Sequence, residues 1–372
     1  MHYFLRIVIS LLLVFCFALT CVADAKPIRI AYLEGGSLGE YQRNLVGIIY
    51  ELNNLELLNL DLPLNQVLFG PQNTFNAQVW DELQRHSHKS QVALAVDGYY
   101  SANWNSQERS RLIRQIQERL DQAQDIDVLI AMGTWAGQDV LKLDTKIPII
   151  ICDVSDPLGA GIISHITKHN KKNIICIVEP GLYQRHLQIF HDIFKFKRLG
   201  ITFENTPTGR SMAGYDAIVA KAGELDIEIV TCPDAAYTAP ISAMFERRQS
   251  CNKLFIKKNV DAIYITYDFD VLGYANQQAL LKPLIRAGIP TMTQIGAVDV
   301  ERGILVGFAD TSREEGKFTA HLLRDIYADH ALETLARTFV RPLNLAINLT
   351  TATRMGWNPP LSFLLIVKQI FH

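Results

Sequence analysis

The sequence predicts an α/β protein built from two doubly wound, Rossmann-like lobes, with a hinge between them and an interlobe cleft. Short continuous apolar runs alternate with longer helical stretches, which is typical of buried parallel strands flanked by helices. The order of these runs in the first half recurs in the second half. A chain of 372 residues is also too long for one ordinary hydrophobic core.

The first lobe is predicted from three apolar runs. Residues 27–32 form a strand that a glycine-rich turn follows, and a helix is expected over 40–55. A charged amphipathic stretch, 106–123, is expected to be helical and leads into a strand at 127–132. Residues 147–153 form the next strand.

The second lobe repeats this order. The run at 198–203 echoes the first strand, 260–266 echoes 126–132, and 288–293 echoes 146–151. We expect a first lobe of residues 26–154 plus about 292–335. The second lobe then comprises 155–291 plus about 336–372, and the apolar run near the C-terminus is expected to be a helix packed on it.

The start of the chain has the pattern of a secretory signal peptide. Arg6 precedes an apolar run over residues 7–19, and Ala23 and Ala25 occupy the −3 and −1 positions of a cleavage site. Residues 1–25 are therefore predicted to be a signal peptide, and the mature protein is expected in the periplasm. A membrane anchor is an alternative, although the run is shorter than the roughly 20 residues that span a bilayer. Lipoprotein anchoring at Cys21 is a second alternative.

The composition limits the kinds of partner and metal site that the chain can be expected to have. The chain has 36 Lys and Arg against 38 Asp and Glu, a net charge of −2, so no basic surface for nucleic acid is expected. Four cysteines follow the predicted cleavage site, without metal-binding spacing. An oxidising compartment permits a bridge between Cys232 and Cys251, and buried free thiols are the alternative.

In doubly wound sheets, ligands bind beyond the carboxyl ends of the strands, so two facing lobes place these ends along one cleft. The loops at the predicted strand ends are therefore the candidate walls. Each has a simpler alternative role, since its glycines can permit tight turns and its short polar side chains can cap helices. The candidate loops are residues 34–37, 133–135, 153–157, 204–209, 266–270 and 294–299.

Several motifs at these loops agree in order and spacing with one known family, from about residue 125 to 357. The most specific is Ser-Asp-Pro-Leu-Gly-Ala-Gly at 155–161, and others lie at 127–137, 197–205 and 347–356. The sequence resembles ABC transporter substrate-binding proteins of the type I periplasmic fold, whose best-characterised members bind aromatic amino acids.

The resemblance implies roles at matching positions. Gly133 and Thr134 would offer backbone N–H groups and a hydroxyl to a ligand carboxylate, since a helix start favours an anion. Ser155 and Asp156 would form a turn between the lobes. Asn205 matches a family position, and Asp268 would bind a ligand ammonium.

The chain departs from the family pattern in its aromatic residues. Trp135 follows the Gly-Thr pair where a small residue or proline is usual, and it either stacks on a planar ligand or narrows the pocket. Tyr267 and Phe269 flank Asp268. The first lobe up to about residue 125, including 61–104, matches poorly. The full set of predicted ligand-binding residues is Glu34, Gly36, Ser37, Gly133, Thr134, Trp135, Asp153, Ser155, Asp156, Asn205, Tyr267, Asp268, Phe269 and Gln294.

No catalytic motif such as Gly-x-Ser-x-Gly or His-Glu-x-x-His occurs, and neither metal nor cofactor is expected. We therefore expect a non-enzymatic, extracytoplasmic solute-binding protein of an ABC-type uptake system. It would be monomeric, close on a small molecule such as an amino acid or other planar metabolite, and dock on an ABC permease. A ligand-sensing periplasmic module that signals to a separate membrane partner is the alternative, and an exported enzyme on the same fold is a third hypothesis.

Overall fold

The computed structural model describes residues 26–61, 77–87, 90–166, 171–236, 238–267, 272–309 and 311–372. These contain thirteen α-helices and twelve strands, and the strands form two sheets. The predicted signal peptide, residues 1–25, lies outside them. Within the described part of the chain, no helix combines the length and the apolar character that a membrane span requires.

The first lobe is built on a five-stranded parallel sheet in the order β2-β1-β3-β4-β5, the doubly wound arrangement that the sequence predicts. Its helices pack on both faces and enclose the apolar runs. The strands are β1 (Ile28–Glu34), β2 (Val92–Ser101), β3 (Val128–Met132), β4 (Ile149–Cys152) and β5 (Ile174–Cys176), and the helices are α1 (Gly39–Asn54), α2 (Ala77–Arg85), α3 (Ser106–Gln122) and α4 (Gly133–Val140).

The second lobe has a seven-stranded sheet in the order β12-β11-β10-β9-β8-β6-β7. Five neighbouring strands, in the order β7-β6-β8-β9-β10, repeat the order of the first sheet, and β11, antiparallel to β10, and β12 extend the sheet. The strands are β6 (Arg198–Phe203), β7 (Glu228–Pro233), β8 (Ala262–Ile265), β9 (Thr291–Thr293), β10 (Val306–Phe308), β11 (Leu345–Asn348) and β12 (Val367–Phe371).

Nine of the described α-helices follow β5 along the chain. Eight of them belong to the second lobe, and α11 returns to the first lobe, where it packs closely on α1. A Cβ built on Gly316 of α11 would lie 2.5 Å from the carbonyl oxygen of Asn44, so only glycine permits this approach. The helices are α5 (Leu182–Phe194), α6 (Pro207–Met212), α7 (Tyr215–Glu224), α8 (Ile241–Lys257), α9 (Tyr274–Arg286), α10 (Ala297–Glu301), α11 (Ser312–Tyr327), α12 (Leu349–Met355) and α13 (Leu361–Leu364).

The sheets divide the chain differently from the predicted boundaries. The predicted first break, after residue 154, precedes β5, which belongs to the first sheet. Residues 292–308, predicted for the first lobe, contain β10 of the second sheet. Among the described residues, the chain returns to the first lobe with α11, and Leu335 and Phe339 after it also pack in that lobe's core. The C-terminal run likewise forms a short helix and then strand β12, not a terminal helix alone.

The chain crosses between the lobes three times: after β5, between β10 and α11, and between α11 and β11. The first and third crossings run side by side. The amide of Val178 donates to the carbonyl of Arg337 at 2.8 Å, and the amide of Phe339 donates to the carbonyl of Val178 at 3.0 Å. Paired extended segments of this kind suit a hinge, because few bonds must change when the lobes rotate.

A disulfide joins Cys232 in β7 to Cys251 in α8. Of the two possibilities left by the sequence, the bridge is the one found. Cys152 and Cys176 are buried free thiols in the first lobe.

Candidate functional site

A small cavity lies between the lobes at the carboxyl ends of the strands. First-lobe residues and second-lobe residues both line it, together with residues of the crossings. Its volume is about 50 Å³, room for a few water molecules. Five predicted binding residues line this cavity: Thr134, Asp153, Ser155, Tyr267 and Gln294.

Tyr41 of α1 closes the start of α4. A Cβ built on Gly133 would lie 1.9 Å from Tyr41 Oη, and Gly133 has a φ of 83°. The tyrosine hydroxyl thus lies against the segment that the resemblance assigns to a ligand carboxylate. Thr134 still lines the cavity, and its side chain is buried.

Trp135 lies outside the cavity lining and packs within the first lobe. The Arg109 guanidinium stands 4.4 Å from the centre of its ring, and Trp104 meets it edge-on at 5.5 Å. Arg109 is held in turn by both carboxylate oxygens of Asp139, at 2.7 and 3.0 Å. The ring therefore contacts Arg109 and Trp104, and neither role considered for Trp135, stacking on a ligand or narrowing the pocket, is seen at this cavity.

Residues of the 34–37 loop have local partners. Glu34 is buried and accepts hydrogen bonds from Tyr32, Tyr99 and Ser101 at 3.0, 2.7 and 3.0 Å, and burial raises its pKa. A Cβ on Gly36 would lie 2.5 Å from the Trp104 ring. Ser37 accepts a hydrogen bond from Gln42 at 2.6 Å. These contacts hold the loop, and none of the three residues lines the cavity between the lobes.

The remaining predicted residues lie elsewhere. Asp156 accepts a hydrogen bond from the Gly159 amide at 2.9 Å within its turn, and its carbonyl accepts one from Ser211 of α6 at 2.7 Å. Asn205 is exposed before α6. Asp268 and Phe269 lie outside the described residues.

The structure adds a charged cluster that the sequence reasoning missed. Four carboxyl groups and one guanidinium, that of Arg341, stand among the described residues of the lining. Arg341 lies on the third crossing, and the carboxyl groups come from separate parts of the chain. They are Glu40 of α1, Asp153 after β4, Glu179 on the first crossing and Glu315 of α11.

Arg341 is engaged by three of these carboxylates. Its Nε donates to Glu179 Oε2 at 2.5 Å, and its backbone amide donates to Glu179 Oε1 at 2.9 Å. Its Nη atoms lie 3.4 Å from Glu315 and 3.6 Å from Glu40. Burial lowers the pKa of Arg341, but Glu315, Glu179 and Glu40 outweigh it, so the pKa is raised and the guanidinium stays charged.

Asp153 holds an unusual position in this cluster. It has a φ of 56°, and its amide donates to Glu315 Oε1 at 2.8 Å. The residue is partly exposed, but its Oδ2 is buried and accepts no hydrogen bond from the described residues. Burial, then Glu40 and Glu315, raise the pKa of Asp153 well above its ordinary range, against the opposing effect of Arg341 and Arg43.

Gln294 presents a matching group from the second lobe. Its Nε2 donates to Tyr183 Oη at 3.0 Å and to the Met212 carbonyl at 2.9 Å. Because a carbonyl can only accept, the nitrogen must occupy this side of the amide. The other atom, Oε1, is buried and has no donor among the described residues.

Local sequence signals existed for only part of this cluster. Glu179 follows the buried run of β5, as Asp153 follows β4, so the strand-end rule could have found it. Glu40 and Glu315 lie in amphipathic helices, where a charged residue is usually solvated. The packing of α11 on α1 places the side chains of Glu40 and Glu315 at the cavity.

Comparisons with known proteins agree with this architecture. The family model described as ABC transporter substrate binding protein matches residues 91–360. No curated protein sequence matches the chain with significance.

Solved structures of the same fold cover almost the whole chain at low identity. A conserved domain protein from Vibrio cholerae O1 biovar eltor has a TM-score of 0.69 at 16% identity, covering 93% of this chain and 100% of its own. The ABC domain from Streptococcus pneumonia in complex with L-Trp has a TM-score of 0.66 at 15% identity, with coverages of 93% and 100%. A solute-binding protein from Agrobacterium vitis with bound allitol has a TM-score of 0.54 at 15% identity, with coverages of 88% and 98%.

The family model spans well over half of the sequence, and the two-lobed fold and the interlobe cavity agree with it. The chain belongs to the family of ABC transporter substrate-binding proteins.

Proposed function

We propose that this protein is an extracytoplasmic receptor of an ABC uptake system, which closes its two lobes on a small molecule held in the interlobe cavity. The observation that carries the proposal is the cavity itself, because it lies between the carboxyl ends of two doubly wound sheets joined by three crossings. Thr134, Asp153, Ser155, Tyr267 and Gln294 are the proposed ligand contacts. Asp268 and Phe269 remain predictions.

Ligand entry requires the lobes to separate. A volume of about 50 Å³ is well below the roughly 300–1,000 Å³ of typical small-molecule sites. The paired crossings at Val178 and Phe339 supply the hinge about which the lobes would move. We propose that the closed form docks on an ABC permease as a monomer.

Export is the second part of the proposal. The pattern of residues 1–25 favours a cleaved signal peptide, and the Cys232–Cys251 bridge favours an oxidising compartment such as the periplasm. The family is a class of binding proteins, and we propose binding without catalysis as the role of this chain. Family membership favours transport over the alternative sensing role.

The test uses the mature chain from Lys26 onward, screened by thermal shift against amino acids, amines, sugars, sugar alcohols and nucleosides. A true ligand at about 100 times its Kd stabilises the fold by about 2.7 kcal/mol. Small-angle scattering should then show a smaller radius of gyration with the ligand than without it. If no compound stabilises the protein, the receptor function is wrong.

A further inference from the structure

The charge distribution around the cavity identifies a class of ligand, on the assumption that the proposed receptor function holds. Four carboxyl groups face one guanidinium among the described lining residues. We propose that the ligand is an organic amine that carries at least one N–H on its cationic nitrogen and has no carboxylate. The carboxyl group of Asp153 and the amide oxygen of Gln294 are its acceptors.

Two buried oxygen atoms that accept no hydrogen bond from the described residues favour a ligand that donates N–H groups. Asp153 Oδ2 belongs to the first lobe and Gln294 Oε1 to the second; both atoms are buried, and both residues line the same cavity. A buried acceptor without a donor loses free energy, so a ligand with N–H groups gains by supplying the missing bonds. Because the oxygens belong to opposite lobes, an amine that satisfies both also holds the cleft closed.

The same cavity disfavours a ligand carboxylate. The guanidinium of its described lining, Arg341, is already engaged by Glu179, Glu315 and Glu40, so an anion would have to displace a carboxylate. The N–H groups at the start of α4 are the other expected anion site, and Tyr41 Oη occupies the place beside Gly133 where a Cβ would lie. A ligand carboxylate would also add a fifth acidic group to the four carboxyl groups of the described lining, three of which already share Arg341.

The apolar part of the lining suits a cation as well. The rings of Tyr41, Tyr183, Tyr267 and Phe339 line the cavity beside the carboxyl groups. Aromatic faces attract ammonium groups, and the attraction grows when water is excluded. Rings beside carboxyl groups therefore complement an amine with an apolar body.

Pairs of compounds that differ only by a carboxylate test the proposal on the mature chain. The pairs are ethanolamine and serine, putrescine and ornithine, tyramine and tyrosine, and tryptamine and tryptophan, each measured by calorimetry up to about 1 mM. We expect the amine of at least one pair to bind about tenfold more tightly than its amino acid, or better. A neutral sugar alcohol, allitol, and a carboxylate without an amine, indole-3-propionate, should not bind.

Substitution of Asp153 tests the site. Asp153→Asn keeps the shape, and asparagine tolerates the positive φ. A bound ammonium favours the ionised form of Asp153, so loss of this carboxyl group should weaken amine binding about 10- to 100-fold. Asp97→Asn is the matched control, because Asp97 also has a positive φ of 49° in the first lobe but is exposed outside this lining. If Asp153→Asn does not fold, the paired compounds still decide the question on the unaltered chain.

The outcomes separate the two proposals. Tighter binding of the amino acid in every pair that binds would overturn the amine proposal and leave the receptor function intact. Binding of allitol or another compound, with no amine bound, would do the same. Equal amine affinity in Asp153→Asn and the unaltered chain would overturn the assigned acceptor. If nothing in the wider screen binds, the receptor function fails and the amine proposal falls with it.

Discussion

Gly133 and Tyr41 meet where β3 turns into α4. The sequence singled out Gly133 as part of a ligand-binding pair, and the structure gives it a second constraint. Its positive φ disfavours any side chain, and Tyr41 Oη occupies the place that a Cβ would take. This glycine is therefore required by the packing of α1 on α4, whatever the ligand does.

Gly133→Ala should destabilise the fold by about 2–4 kcal/mol, because backbone strain and overpacking act together. Urea unfolding followed by circular dichroism measures the change. Gly223→Ala is the control, since that glycine lies in helix α7 without a positive φ, and no atom stands within 4 Å of the place where its Cβ would lie. The control should be neutral or slightly stabilising. A loss below about 1 kcal/mol in Gly133→Ala would show that Tyr41 moves aside readily.

At the scale of secondary-structure elements, β2 is an edge strand that the sequence pattern did not predict. Its pairing with β1 jumps from Leu94 to Tyr99, and the extra residues include Asp97 in the left-handed conformation. The irregularity brings Tyr99 and Ser101 to the carboxylate of Glu34. A run broken by Asp97 and Gly98 lacks the continuous apolar pattern of a buried strand, so local pattern did not reveal it.

The Cys232–Cys251 bridge ties β7, the edge strand of the second sheet, to helix α8. Replacing both cysteines by alanine should lower the free energy of unfolding by about 3 kcal/mol, the loop-closure term expected for a loop of about 20 residues. Urea unfolding with and without dithiothreitol measures it. The reductant should destabilise the unaltered chain and leave the variant unchanged. Equal stability of the two oxidised proteins would mean that the bridge contributes nothing.

At the scale of the whole molecule, contacts between the lobes stabilise the narrow cleft. Gln138 of α4 donates to Thr208 Oγ1 of α6 at 3.3 Å, and Ser211 of α6 donates to the Asp156 carbonyl at 2.7 Å. These bonds exist only when the lobes are close together. They therefore favour closure independently of any ligand.

Removing both bonds with Thr208→Val and Ser211→Ala should shift the ligand-free protein further towards its open form. Each bond contributes about 1 kcal/mol, so affinity for a ligand that requires closure should fall about five- to thirtyfold. Small-angle scattering should show a larger radius of gyration. The matched control is Thr353→Val with Ser250→Ala, because both hydroxyls bond to carbonyls within their own helices in the second lobe. An unchanged radius would mean that the crossings alone hold the closed arrangement.

The sequence by itself determined the class of fold, the doubled order of strands, and the helices at 40–55 and 106–123. These features depend on local periodicity, which each segment carries independently of its neighbours. It also indicated that Thr134, Asp153 and Gln294 lie at strand ends facing one cleft. Only the tertiary structure decided which residues share the cavity and which lobe each segment joins. Arg341 meets Glu40, Glu179 and Glu315 because the crossings and α11 bring distant segments together, and no local pattern encodes contacts of that sequence separation.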